Sequence, residues 1–350
     1  MKKERYSNFE LLRIISMCGI IVLHYFNSSY GGMIQNAQFP DFSWIFSNFI
    51  DSFCIPLVNC FVIISGFFLV SKDEFGLRKP VNLLFVTAFY GIIAFFIGVV
   101  FGNTEFTLYN LLVSIFPFFA GYRWFVETYL ILILFSPFIN IILNSLNKRN
   151  FRILLAIQIF IFSVWYSIGL SAPLLDNGYG IINFITLYLI GAYLRLFVFE
   201  RIKEQKRNKW GYFSIYIFVS ILTFILSYFM NPFGYAFITN IVAAVAIFSF
   251  FCCVDMGSRS IINKISNCAF DVYFIHSDIN TSNLLIGRLL HGHLFINSPL
   301  MIFHMIFTVI IVWVIGYIAC ILRTKLFKVS LEPILDRVLI LNRVIDLKVK

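Results

Sequence analysis

FELLRIISMCGIIVLHYFN, residues 9–27, is an apolar run long enough to cross a bilayer as a helix, and it carries Arg13 and His24 inside it. Eleven residues separate the two, about 1100° of helix rotation, which returns to within about 20° of the same face. Their separation along the axis is roughly 16 Å, about half the hydrocarbon thickness. A cation at one depth and a titratable ring at another, on one face, predict the wall of a polar cavity.

The remaining chain reads as a scaffold around that helix. Its 350 residues are 60% hydrophobic and only 13% charged, and the mean hydropathy is +0.88. A soluble domain carries about a quarter charged residues, so the expectation is an all-α polytopic membrane bundle. Apolar segments occur at about 9–27, 51–70, 81–101, 124–143, 153–170, 181–199, 211–230, 235–254, 262–279 and 299–322. That predicts ten transmembrane helices in one domain, 1–330. A short piece, Leu108–Phe119, reads as interfacial or re-entrant. The tail, 331–350, has apolar Leu331, Ile334, Leu335, Val338, Leu341 and Ile345 with basic residues between them and is expected to form a cytoplasmic amphipathic helix. Lys2, Lys3 and Arg5 precede the first run as in a signal peptide, but Glu10 and Arg13 interrupt it, so it is expected to stay as the first helix.

Charge placement tests the partition. With the N-terminus cytoplasmic, 24 of the 27 basic residues fall in inside segments, which puts both termini inside and favours an even number of helices. The net charge of +10 is then a matter of topology and requires no nucleic-acid partner. The seven cysteines all lie in apolar segments and imply neither a disulfide framework nor a zinc site. His291 and His293 lack a clear third ligand, and no metal is expected. No P-loop, dinucleotide fingerprint or nucleophile elbow is present.

Ionisable groups inside spans cost free energy unless paired or hydrated, so each is a candidate. His24, Glu127, His276 and His304 fall in the outer half. Arg13 lies near the inner face, as do Arg78 and Lys79. A histidine on a cavity wall can take a proton from a hydroxyl at neutral pH and return it. An inner cationic patch suits a phosphate-bearing donor. Each has a duller role: Arg13 as an i, i+3 partner of Glu10 that snorkels to the headgroups, His24 as an interfacial ring, Glu127 as a partner of Arg123. His276 and Asp271, five residues apart, cannot both face one cavity.

NFELLRIISMCGIIVLHYF (8–26), with Arg13, ten residues and His24, resembles the first-helix motif of the integral-membrane acyltransferase family three, bacterial enzymes that O-acetylate surface polysaccharides. NCFVIISGFFL (59–69), WFVETYLILILFSPFIN (124–140) and AFDVYFIHS (269–277) resemble three further family stretches in the same order. The resemblance implies a multi-pass protein of the bacterial cytoplasmic membrane, with acetyl-CoA as donor on the inner side. It implies as acceptor a hydroxyl of a surface glycan or lipid-linked sugar on the outer side, reached directly or through a separate extracytoplasmic transferase partner. His24 and Arg13 become the essential pair, with Glu127 or His276 orienting His24. Arg13, Arg78 and Lys79 become donor-binding, and Ser65 and Tyr129 are oxyanion candidates. The family's Arg-X-X-Arg after helix two is replaced here by EFGLRKPVN (74–82). A transporter or flippase of a glycan precursor, or transfer of another acyl group, are the rival readings.

Overall fold

The computed structural model describes residues 6–26, 37–72, 74–116, 123–169, 176–204, 208–338 and 344–346. The helices are α1 (Ser7–Phe26), α2 (Phe42–Leu69), α3 (Arg78–Val100), α4 (Leu108–Ile115), α5 (Trp124–Ser145), α6 (Lys148–Ser167) and α7 (Ile181–Glu204). They continue as α8 (Lys209–Leu226), α9 (Ile238–Cys253), α10 (Ser260–Ser266), α11 (Ala269–Ser277), α12 (Ile279–Ser282), α13 (Met301–Ser330) and α14 (Glu332–Arg337). Strands β1 (Glu74–Gly76) and β2 (Val344–Asp346) form one small antiparallel pair. The protein is therefore an all-α, multi-pass membrane bundle.

Eight of the ten predicted segments are single helices long and apolar enough to span a bilayer. The other two depart from that form. The 235–254 segment is helical over only Ile238–Cys253, 16 residues. The 262–279 segment is broken at Asn267–Cys268 into α10 and α11. The break coincides with tethers on both sides. Ser266 on α10 donates to Glu10 Oε2 at 2.5 Å, while Asp271 on α11 is drawn to Arg323.

Cross-helix contacts give the helix directions. Phe9 packs on Phe67, and Gly19 lies against Leu57, so α1 and α2 are antiparallel. Glu10 meets Ser266 and His24 meets His276, so α10–α11 run parallel to α1. Cys18 meets Trp313 and Tyr25 meets His304, so α13 runs antiparallel. A ninth segment parallel to the first and a tenth opposed to it agree with alternating crossings.

Gly66, in the SGF stretch, and Gly191 allow α2 and α7 to touch backbone to backbone. A Cβ on Gly66 would strike the Tyr188 carbonyl, and one on Gly191 the Ile63 carbonyl. Small residues at helix crossings serve this close approach in membranes. Gly66→Val is therefore expected to abolish the monodisperse peak in detergent size-exclusion chromatography. Gly211→Ala, where a Cβ meets only Asn208 Oδ1 at 3.8 Å, should leave the peak intact. A normal profile for Gly66→Val would reject the close-packing role.

Three sequence expectations are corrected. The tail is not one amphipathic helix over 331–350: α14 ends at Arg337, and Val344–Asp346 pairs with Glu74–Gly76, Ile345 opposite Phe75. The β-branched Val344 and Ile345 suit a strand better than a helix. Cys268 and Cys320, 52 residues apart, are paired as a disulfide with Cα atoms 5.6 Å apart, a proximity created by the α11–α13 packing. The second helix begins at Phe42 rather than near residue 51, because Ser43, Asn48 and Asp51 dilute the hydropathy of turns that are helical all the same. Of the interfacial piece Leu108–Phe119, α4 covers Leu108–Ile115, capped by Thr107 Oγ1 accepting from Asn110 N at 3.1 Å. Residues 117–119 lie outside the described residues.

Candidate functional site

The start of α1 is pinned by backbone and side-chain bonds. Ser7 N donates to Gly257 O (3.2 Å), Ser7 Oγ to Asn263 Oδ1 (2.8 Å), and Arg259 N to Ser7 Oγ (2.6 Å). Two turns along, Arg13 Nη1 donates to Glu10 Oε1 at 2.8 Å, and the guanidinium stands 5.9 Å from the Phe68 ring centroid. The i, i+3 pair read from the sequence is thus present. Because Glu10 is also held by Ser266, the pair is anchored to α10 rather than left on a lone helix. Arg13 stays 28% exposed, so its remaining donors are reachable.

At the far end of α1, the His24 ring lies 5.0 Å from that of His276, tilted by 52°. His276 is fully buried, and its Nδ1 lies 2.6 Å from Val272 O. A carbonyl only accepts, so Nδ1 carries the proton and Nε2 is left with a lone pair. That Nε2 is buried and has no hydrogen-bond partner among the described residues. The tautomer of His276 is therefore set by its own helix, and its basic nitrogen is left open in the same region as His24.

Glu127, the other sequence candidate for orienting His24, turns toward the head of its own helix. Its Oε1 accepts from the Arg123 main-chain N at 3.3 Å, as suits a carboxylate in a first turn. The expected Arg123–Glu127 side-chain pair is not formed. Arg123 reaches instead to Asp278, Nη2 to Oδ2 at 2.8 Å, and donates through Nη1 to Ser114 O at 3.2 Å. This buried bridge joins the start of α5, the end of α4 and the turn two residues after His276.

Asp271 and His276 have separate partners, as their angular offset requires. Asp271 is 2% exposed and takes a bidentate bridge from Arg323, Nε at 2.5 Å and Nη2 at 3.1 Å, with Tyr90 Oη donating at 2.7 Å. Arg78 pairs with Asp336 of the tail at 2.5 Å, while Lys79 is exposed beside it at the start of α3.

Ser65 and Tyr129 are brought together, with oxygens 2.9 Å apart. Ser65 also donates to Phe61 O at 2.9 Å, so its single proton is spent and Tyr129 must donate to it. In that arrangement neither hydroxyl offers a proton to an oxyanion. His304 is structural: Tyr25 Oη lies 2.9 Å from Nδ1, Leu290 O lies 2.8 Å from Nε2, and Phe295 stacks on the ring. The His291 and His293 rings are 5.9 Å apart, and among the described residues no group of three or more His, Cys, Asp or Glu is placed to hold a metal.

One group escaped the sequence reading. Asp51 on α2 buries Oδ1 without a hydrogen-bond partner among the described residues. The antiparallel register of α1 and α2 puts it at about the depth of His24. Its signal was present, an acid at the head of an apolar run.

An apolar groove of about 680 Å³ lies between α1, α10 and α13, lined by Ile14, Ile261, Trp313 and Tyr317 among others. Neither His24 nor His276 lines it.

Against known proteins, the family model described as an acyltransferase domain, acyltransferase family 3, matches residues 6–318. No curated protein and no solved structure matches. The chain belongs to this family and is an acyltransferase.

Proposed function

We propose that this family 3 acyltransferase moves an acetyl group from acetyl-CoA, taken from the cytoplasm, to a hydroxyl of a cell-surface polysaccharide or its lipid-linked precursor. The observation that carries the reading is the histidine pair, His24 beside His276 of α11, with His24 on the same helix as Arg13 and about 16 Å along it. An arginine anchored near the donor side and two imidazoles near the acceptor side suit a transfer that begins at one membrane face and ends toward the other.

In this mechanism Arg13, steadied by Glu10, helps hold the donor. His24 takes the acceptor hydroxyl proton as the oxygen attacks the thioester carbonyl. The carbon–sulfur bond breaks, and the proton passes to the departing CoA thiolate. His276, its Nδ1–H fixed on Val272 O, orients or relays through Nε2. The site lies in the cytoplasmic membrane, with both chain termini inside.

The test combines two measurements. Membrane vesicles containing the protein should incorporate label from radioactive acetyl-CoA into glycan. A deletion strain should lose glycan O-acetyl signals by NMR and regain them on complementation. Substrate movement across the vesicle without any acyl incorporation would favour a transporter and sink the proposal. Incorporation from succinyl-CoA but not acetyl-CoA would keep the reaction class and change the donor.

A further inference from the structure

Near the N-terminal end of α1 there is a second concavity, a half-enclosed cleft of about 210 Å³. Tyr6, Phe199 and Lys203 form its walls with the Val254–Ser258 stretch. Its lining is mixed, with a cation, a carboxylate (Asp255), an amide and an aromatic ring, unlike the apolar groove between α1, α10 and α13.

Lys203 has a companion on the same helix. Arg195, Phe199 and Lys203 recur every four residues along α7, and Arg195 sits in a π-helical turn, Leu194–Val198. Such turns are frequent at functional sites. The Arg195 guanidinium stands 5.2 Å from the Phe67 centroid and 5.3 Å from that of Phe199. Among the described residues neither Arg195 nor Lys203 has an acidic partner. An arginine held among rings without a counter-ion, directly behind the wall of a cleft, is a standing attraction for an anion.

The cleft also connects to the site already described. Phe67 packs on Phe68 with centroids 5.1 Å apart, and Phe68 lies under Arg13. Tyr6, 44% exposed, lies 6.3 Å from Phe68. Lys203, Arg195 and Arg13 thus lead from the cleft toward the interior of the bundle, with aromatic rings between them.

We propose that this cleft binds the adenosine 3′,5′-bisphosphate end of the acyl-CoA donor, a subsite that rests on the acyl-CoA reading above. Lys203 takes the phosphates, with Arg195 adding positive potential from behind Phe199. Tyr6 offers its open face to the purine. The cleft is too small for the whole donor, so the thioester arm leaves it along the aromatic floor toward Arg13. Arg78, the sequence candidate for phosphate binding, is held by Asp336 and is not part of this subsite.

The test is calorimetric titration of the detergent-solubilised full chain with adenosine 3′,5′-bisphosphate and with acetyl-CoA. Lys203→Gln is expected to weaken both by about tenfold, the scale of a lost charge-assisted contact. Tyr6→Ala should weaken both severalfold, and Lys203→Arg should restore binding. Arg78→Gln should stay within about twofold of wild type. If Arg78→Gln takes the loss while Lys203→Gln binds normally, the cleft assignment is overturned and the donor reading stands. If wild-type protein binds no acetyl-CoA, both fall.

Discussion

His24→Ala is expected to lower acyl transfer by about 10²–10⁴-fold at unchanged expression, the usual worth of a positioned general base. His276→Ala is expected to cost nearly as much, and the double variant little more than either alone. That lack of additivity follows from the geometry: the two rings stand 5.0 Å apart, and His276 has one nitrogen committed to Val272 O, so the pair acts as a unit. His304→Gln is the control. It is a histidine on the same side of the sequence-derived topology, but its ring nitrogens are engaged by Tyr25 and Leu290 O. It should change transfer less than tenfold. Rates from labelled acetyl-CoA in vesicles, normalised to protein, decide the matter. A His276→Ala enzyme within twofold of wild type would remove His276 from the site and leave His24 to act alone.

Much of the fold was legible because it depends on local periodicity. One apolar run per span and one basic cluster at alternate ends are written consecutively in the chain, and Arg13 and His24 share a face by helix geometry alone. The broken ninth segment was half-written in Lys264, Asn267 and Asp271, polar residues that one straight lipid-facing helix would not hold. What was not legible depends on pairing across the bundle. Arg123 has Glu127 one turn away yet bonds Asp278, 155 residues later, because the fold places a buried carboxylate against its guanidinium. Asp271 and Arg323 are 52 residues apart, and nothing in either local stretch names the other. The tail was misread because its apolar residues, Leu331, Ile334, Leu335, Val338, Leu341 and Ile345, follow helical spacing, and only the presence of β1 as a partner makes Val344–Asp346 a strand.

Arg323→Leu should lower the stability of the bundle severely while leaving the helix crossings themselves unobstructed. It leaves the Asp271 carboxylate at 2% exposure with Tyr90 Oη as its remaining donor at 2.7 Å. Removing one member of a buried pair costs about 3–5 kcal/mol, since the other charge is neither solvated nor neutralised. Asp271→Leu should be nearly as harmful. The double variant Asp271→Leu/Arg323→Met buries no charge and should recover most of the loss, as apolar replacements of buried pairs do elsewhere. Thermal unfolding followed by tryptophan fluorescence in detergent would rank the four proteins. The ranking bears on catalysis as well, because Asp271 stands five residues before His276 on α11 and ties that helix to α3 and α13. Transfer should fall with the single variants and return with the double. If Arg323→Leu melts like wild type, the bridge does not hold α11. If the double regains stability without regaining transfer, the charges themselves, rather than the tether, are needed to keep His276 beside His24.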